Sequence, residues 1–282
     1  MRSIFAIIKK DVLGYFDQPA AYIFLVIFVG VGSYLFFRTA ITTAEASLRP
    51  LFGVMPFMLA VLVAASTMRL MAEEQRDGTL ETLLTHPIRG WAVLIAKFLG
   101  GLIFVGIAIL GTVGIPLLLQ TAGNLDDGQI VAQYLGTFLL TGSFVSIGLF
   151  ASSLTRNQIV AFILSIFIIV LLIIAGLDVV VLAIPGVWGV LVQDLSPLTH
   201  FSSIARGVVE LRDFLYFVTL ISTFLVATYL MIRGKSISHR SPLYRNLQLG
   251  VGGLVILSLL IGWFGQSIAG RVDFTEERLY TL

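Results

Sequence analysis

Residues 68–87 read MRLMAEEQRDGTLETLLTHP, a dense group of polar and charged side chains between two very apolar stretches. The acidic and basic residues from Glu73 to Glu81 cannot lie in hydrocarbon, because a charged side chain at the centre of a bilayer is energetically costly. This segment is therefore expected to protrude from one side of a membrane, where a soluble partner can contact it.

The composition of the whole chain is that of an integral membrane protein. Of its 282 residues, 57% are hydrophobic and 12% are charged, and the mean hydropathy is +0.99. A soluble domain cannot bury so much apolar surface. The formal net charge of +2 argues against nucleic-acid binding, which needs a clustered basic face. The absence of cysteine excludes disulfides and thiol chemistry.

The apolar stretches predict an all-α integral membrane protein, a polytopic bundle of about seven transmembrane helices. A helix needs about 20 residues to cross roughly 30 Å of hydrocarbon. Seven stretches reach this length: 19–37, 51–70, 92–119, 130–154, 159–182, 214–232 and 247–268. The third is the longest, and Pro116 together with several glycines predicts a bend in it.

The N-terminal residues are interpreted as a retained segment, since no small-residue cleavage pattern follows the first apolar stretch. Apolar residues recur at helical spacing opposite Arg2, Lys9 and Lys10, which predicts an amphipathic helix on the membrane surface. A simple basic anchor that sets the topology is an equally open alternative.

The distribution of Lys and Arg predicts the orientation. Twelve of these residues fall on the side of the N-terminus and of the Glu73 to Glu81 segment, and six fall on the other side. We therefore expect a cytoplasmic N-terminus in a bacterial inner membrane. Seven spans then place the C-terminus outside the cytoplasm.

The spans carry no acidic residue, arginine or histidine near their centres, which argues against an ion-coupled carrier. The fourth span instead presents small and hydroxylated residues suited to close helix packing, which are Thr137, Thr141, Gly142, Ser146, Gly148 and Ser152. His86, His200 and His239 lie in different segments without ligand spacing, so no metal site is expected, and they are interpreted as loop or surface residues. No nucleotide-binding P-loop motif or catalytic constellation is present, so the chain is expected to have no enzymatic activity and no directly bound cofactor.

The run from Glu73 to Pro87, followed by Lys97 at the head of the next span, resembles the loop between the second and third spans of ABC-2 type exporter permeases. In those proteins this loop is a cytoplasmic coupling helix that docks into the nucleotide-binding subunit. Residues 195–201, LSPLTHF, with Gly207 and the pair Tyr216 and Phe217, resemble the gliding-motility (GldF-like) and nitrous-oxide-reductase maturation (NosY-like) branch. The resemblance covers residues 1 to about 235, the expected permease domain.

The resemblance implies a separate ATP-binding subunit that contacts this loop, a second permease chain and surrounding membrane lipid. ATP would act only through that partner. The residues expected to contact the ATPase are Glu73, Glu74, Gly78, Thr79, Leu80, Glu81, Leu83, Leu84 and Pro87.

The residues themselves support a docking helix. Asp77 or Thr79 can cap a short helix with a ridge of leucines, and the glutamates form an acidic flank. A solvated cytoplasmic turn is the alternative.

On the other side of the membrane, Ser196 and Pro197 are a typical helix start. The apolar spacing then predicts a helix along the outer surface that extends to Leu211, with Arg206 and Glu210 as an i,i+4 pair. The preceding residues 184–192 form either a re-entrant turn or an ordinary loop.

The C-terminal part departs from a six-span permease. Residues 236–270 are expected to form a basic linker and an extra transmembrane helix, and residues 271–282 an extracytoplasmic tail. This tail resembles the start of the auxiliary subunit of gliding-type permeases (GldG-like) and is expected to recruit a partner there. An unrelated extra helix with a frayed end is the alternative.

These observations favour a permease subunit of an ABC-2 exporter. A non-transporting membrane anchor for an extracytoplasmic partner is the main alternative, and an ion-coupled carrier is the third.

Overall fold

A computed structural model describes residues 2–43, 47–78, 90–121, 125–184, 186–235, 245–246, 249–250, 252–253 and 271–273. Within these ranges the helices are α1 (Arg2–Phe16), α2 (Pro19–Thr43), α3 (Arg49–Thr67), α4 (Ala72–Arg76), α5 (Gly90–Leu110), α6 (Gly114–Gln120), α7 (Asp127–Leu154), α8 (Gln158–Ala175), α9 (Asp178–Ala183), α10 (Val187–Asp194), α11 (Pro197–Ala205) and α12 (Leu211–Lys235). Two short strands, β1 (Val208–Glu210) and β2 (Arg271–Asp273), accompany them.

Six helical segments among the described residues are long and apolar enough to cross a membrane. They are α2, α3 with α4, α5 with α6, α7, α8 and α12. The predicted polytopic all-α fold class is confirmed. The predicted seventh span, 247–268, lies outside the described residues except for two short fragments.

One predicted span has the expected bend, and another ends earlier than predicted. The third bends as expected, because α5 ends at Leu110 and Pro116 in α6 has no N–H to donate to the preceding turn. The fifth was predicted to reach residue 182, which is wrong, since α8 ends at Ala175. At the next residue, Gly176, a Cβ atom would collide with Ser196, so the chain turns there to pack closely against the start of α11.

Consecutive spans alternate in direction, which gives the bundle two ends. Residues 17–19, 68–78, 90, 154–158 and 235 lie at one end, called here the near end. Residues 43, 47–49, 121, 125–127, 176–184 and 186–210 lie at the other, called here the far end.

The long helix α7 is at the centre of the bundle and contacts most of the other helices. Its small and hydroxylated residues are buried, as the sequence predicted. The hydroxyl groups of Thr137 and Thr141 donate to the carbonyls four residues earlier, at 2.8 and 2.7 Å. This satisfies them without a partner from another helix, so α7 can bury polar side chains in an apolar environment.

The far-end helices pack inside the length of the bundle. A Cβ atom on Gly136 would overlap Ile204 of α11, so the two helices touch at this position. Gly136 is nine residues into α7, or about 13 Å from the first residue of that helix at 1.5 Å per residue. The helix predicted after Ser196 is thus present as α11. It packs against α7 below the far end of α7.

The predicted extension of this helix to Leu211 is wrong, as is the Arg206 and Glu210 pair along it. Gly207 adopts a φ of 96°, a conformation that ends the helix, and Glu210 lies in β1. β1 pairs with β2 in antiparallel fashion, with Val208 opposite Asp273, Val209 opposite Val272 and Glu210 opposite Arg271.

The β1 and β2 ribbon places residues 271–273 at the far end, whereas α12 ends at the near end at Lys235. Residues 235 and 271 therefore lie at opposite ends of the bundle.

A disulfide cross-link tests the pairing of β1 with β2. The chain has no cysteine, so a V209C/V272C variant contains only the two introduced thiols. Directly paired residues of an antiparallel ribbon lie within disulfide reach, and mild oxidation should produce a cross-linked species that shifts on a non-reducing gel.

The V208C/V272C variant is the control, because Val208 is one residue out of register with Val272. Equal cross-linking in the two variants, or none in the first, would contradict the observed register.

Candidate functional site

The break between α3 and α4 is bound to the end of α7. Ser152 Oγ accepts hydrogen bonds from the backbone N–H groups of Met71 and Ala72, each at 3.0 Å. It also donates to the Met68 carbonyl at 3.0 Å. One serine side chain thus pairs three backbone groups at a point where the helix is interrupted.

Gln75 provides a second connection between α4 and α7. Its Nε2 donates to the carbonyls of Ser152 and Ser153, at 3.2 and 3.1 Å. The last carbonyls of a helix have no partner within that helix. Gln75 therefore caps the near end of α7 and holds α4 against it.

A buried ion cluster connects three helices at the near end. The Lys97 ammonium group on α5 lies 2.8 Å from a carboxylate oxygen of Glu74 on α4, and 3.7 Å from one of Asp11 on α1. The side chains of Lys97, Glu74 and Asp11 are only 3%, 16% and 11% exposed, respectively. We call Asp11, Glu74 and Lys97 the near-end ion cluster.

The balance of charge in this cluster depends on the lysine. Burial raises the pKa of the Asp11 carboxyl, Lys97 opposes this shift, and the Glu74 carboxylate adds to it. Two carboxylates therefore contact the same ammonium group in a poorly solvated place. Removal of that group would take away the positive charge nearest to both.

Tyr15 fixes α1 to the same region. Its ring stacks on Phe104 of α5 with 4.4 Å between centroids, and its hydroxyl donates to the Ser66 carbonyl of α3 at 2.9 Å. The Arg69 guanidinium lies over the ring at 5.1 Å. Asp11 meets α5 at Gly100, four residues before Phe104, so α1 and α5 run in the same direction. The predicted amphipathic helix is thus packed along α5.

The described part of the predicted docking segment differs from the expected pattern at Glu74, whose carboxylate faces Lys97 inside the bundle instead of an exposed acidic flank. Asp77 is at the end of α4, where its N–H bonds to the Glu73 carbonyl at 2.9 Å. The helix that Asp77 or Thr79 is predicted to cap lies outside the described residues. Gly78 follows with a φ of 70°, a typical helix C-terminus.

Glu73 is half-buried on α4, and Gly78 is exposed. The other predicted contact residues lie outside the described residues, namely Thr79, Leu80, Glu81, Leu83, Leu84 and Pro87. The chain is described again from Gly90, and Trp91 stacks on Tyr229 of α12 with 4.2 Å between ring centroids. Both flanks of the segment are therefore attached to the bundle.

A second buried polar cluster lies at the far end. It contains His200, so the interpretation of this residue as a loop or surface residue is wrong. His200 Nδ1 lies 2.7 Å from an oxygen of Asp213, and Nε2 lies 3.0 Å from the Asp194 carbonyl. The Arg212 guanidinium donates to the Asp194 carboxylate at 2.6 Å. The ring of Tyr216 stacks on His200 and its hydroxyl donates to the Leu195 carbonyl at 2.6 Å. These contacts join α10 and α11 to the start of α12.

Neither cluster has a local signal in the sequence. Asp11, Glu74 and Lys97 come from three separate segments, and His200 is 13 residues from Asp213. Only the packing of the helices brings these charges together.

The fold and these clusters define a polytopic helical membrane protein. At its near end, the short helix α4 follows the break after α3 and is attached to α7 and α5. The chain belongs to the ABC-2 family transporter proteins, since the model of that family matches residues 25–264. The match reaches past residue 235, where the resemblance to the permease core was expected to end. No curated protein sequence matches the chain. Proteins of this family are the membrane component of the transporter and work with an ATP-binding subunit.

Substitution of Lys97 tests the near-end ion cluster. K97M should destabilise the protein by about 3–5 kcal/mol, because it removes the ammonium group that contacts both buried carboxylates. The E74Q/K97M double variant should recover part of this loss, since only one carboxylate then remains. Thermal unfolding in detergent measures both effects.

D77N is the matched control, because it breaks the exposed pair between Arg76 and Asp77, whose side chains are 58% and 48% exposed. Such a surface pair contributes about 0–1 kcal/mol. A loss in K97M no larger than that in D77N would contradict the role assigned to the cluster.

Proposed function

We propose that this protein is the transmembrane permease subunit of an ABC-2 exporter and that a separate ATP-binding subunit docks on residues 73–87. The observation that carries the proposal is the attachment of both flanks of this segment. Gln75 and Ser152 join α4 to α7, and Lys97 joins α4 to α5. A displacement of the docking segment would therefore move α3, α5 and α7 together.

This attachment suits the conversion of nucleotide binding into helix movement. The partner subunit binds ATP, since the permease chain has no P-loop motif of its own. Closure of the ATPase pair draws the docking segments toward each other. The spans then switch between arrangements that open to opposite sides of the membrane.

The near end is the cytoplasmic side in this proposal. Most Lys and Arg residues belong to it, in keeping with the positive-inside rule. Residues 247–268 form a seventh span, which agrees with the passage of the chain from Lys235 to the far end at Arg271. The tail 271–282 is then extracytoplasmic.

The similarity to gliding-type permeases adds a second partner to the proposal. A GldG-like auxiliary subunit binds the extracytoplasmic tail, and its strand joins the β1 and β2 ribbon. Because β2 already pairs with β1, the strand of the partner would add at the outer edge of the ribbon.

A paired substitution in the docking segment tests ATPase binding. Replacing Glu81 and Leu83 by alanine should weaken association with the ATPase by about tenfold or more, because one buried leucine contributes about 1.5–3 kcal/mol. Binding of the ATPase to the purified permease and ATP hydrolysis in proteoliposomes are the measurements.

The control is D178N/L182A, which changes an acidic residue and a leucine on α9 at the opposite end of the bundle. Loss of ATPase binding in this control, or unchanged binding in the docking variant, would contradict the proposed docking segment.

The stoichiometry of the complex is a separate prediction. One set of core spans forms half of a pathway in the resembled exporters, so the working unit contains two permease chains, identical or homologous. Native mass spectrometry of the complex with its ATPase should show two permeases and two ATP-binding subunits. One permease with two ATPases would contradict this arrangement.

A further inference from the structure

We infer that the near end of α8 carries a binding site for one anionic phospholipid. The site combines a cationic pocket with an apolar stripe that begins at its edge. The inference goes beyond the proposed function, although Arg76 also belongs to the segment proposed to bind the ATPase, so the test below measures ATPase binding as well.

The pocket has a volume of about 290 Å³ and is lined by Arg76, Arg156, Asn157, Gln158 and Ile159. It therefore places two guanidinium groups beside the first turn of a membrane-spanning helix. Arginine forms forked, charge-assisted hydrogen bonds with phosphate oxygens. The partial positive charge at the start of an 18-residue helix adds to the attraction.

The charge of the pocket is only partly compensated. Arg76 donates its Nε–H to Asp77 at 3.1 Å, which leaves its two Nη groups available among the described residues. Within the same part of the chain, Arg156 has no carboxylate partner. Asp77 thus pairs with one of the two guanidinium groups, and the remaining positive charge fits a monoanionic phosphodiester.

An apolar stripe on α8 continues from this pocket. Ile159, Ile163, Phe167 and Leu171 follow each other at intervals of four residues, so they share one face of the helix. They are 69%, 56%, 63% and 57% exposed, respectively. Twelve residues of helix cover about 18 Å, close to the extended length of an acyl chain.

The position of the pocket along the bundle fits the headgroup level of a membrane. Asn157 and Ile159 begin α8, whose apolar residues then form a membrane span. Arg76 and Arg156 therefore lie at the boundary of the hydrocarbon, where lipid phosphates are found. A basic pocket at this depth next to an exposed apolar helix face matches both parts of a phospholipid.

Lipid titration tests the site. The purified protein in neutral detergent is titrated with phosphatidylglycerol, with phosphatidylcholine of the same acyl chains, or with inorganic phosphate alone. Native mass spectrometry counts bound lipids, and thermal unfolding reports stabilisation. Phosphatidylglycerol should bind and stabilise at lower concentration than phosphatidylcholine, and inorganic phosphate should have little effect.

The R76Q/R156Q variant should raise the concentration of phosphatidylglycerol for half-maximal effect about thirtyfold, since each basic residue near an anionic surface contributes roughly fivefold. The matched control is R38Q/R49Q, which removes two exposed arginines near the far end and should leave the titration unchanged. Both variants change exposed side chains, so their unfolding in lipid-free detergent should equal that of the wild type.

Four results would overturn the inference. The first is an equal response of the two arginine variants to phosphatidylglycerol, and the second is stabilisation by inorganic phosphate as strong as that by the lipid. The third is loss of ATPase binding in R76Q/R156Q with an unchanged lipid titration, which would assign the pocket to the protein partner. The fourth is dissociation of a permease dimer in I163S/F167S with unchanged lipid binding, which would assign the stripe to a second copy.

Discussion

The close approach of α7 to its neighbours is the contact on which the rest of the bundle depends. Three glycines of α7, at positions 136, 142 and 148, lie against Ile204 of α11, Ile221 of α12 and Thr67 of α3, respectively. A Cβ atom at the first or third position would overlap the facing side chain. In a membrane, helices associate through such close packing, because lipid tails are as apolar as the helix surfaces and burial alone gives little driving force. The side chains of the hydroxylated residues around these glycines are short, so they too allow neighbouring helices to approach α7 closely.

The two polar clusters lie at opposite ends of this packed unit. At the near end, Glu74 and Lys97 join the flanks of the proposed docking segment, and Ser152 joins the first flank to α7. At the far end, His200 and Asp213 join α11 to α12. α7 contacts elements at both ends, since Ser152 accepts a hydrogen bond from Ala72 of α4 and Gly136 lies against Ile204 of α11.

The sequence predicted the features that depend on local pattern and length. The number of spans in the permease core, the bend before Pro116 and the packing face of α7 follow from runs of apolar, proline and small residues. The ion cluster of Asp11, Glu74 and Lys97 did not follow, because no periodicity relates residues brought together by three different helices. The end of α11 was missed for another reason: the apolar spacing continues to Leu211, but Gly207 adopts a positive φ that a spacing argument ignores. The positive φ of Gly207 and the pairing of charges from different helices thus could not be predicted from the pattern of a single sequence.

The pairing of β1 with β2 has a consequence for the order of assembly during synthesis. Arg271 follows its partner Glu210 by 61 residues. At about 5–20 residues per second, the ribosome makes the second strand roughly 3–12 s after the first. During this interval β1 has no partner strand, whereas the residues of α11 and α12 have already been made. β2 is therefore the last of the described elements to join the far end. A chain that stops before residue 271 would lack β2 and leave the edge of β1 without this partner.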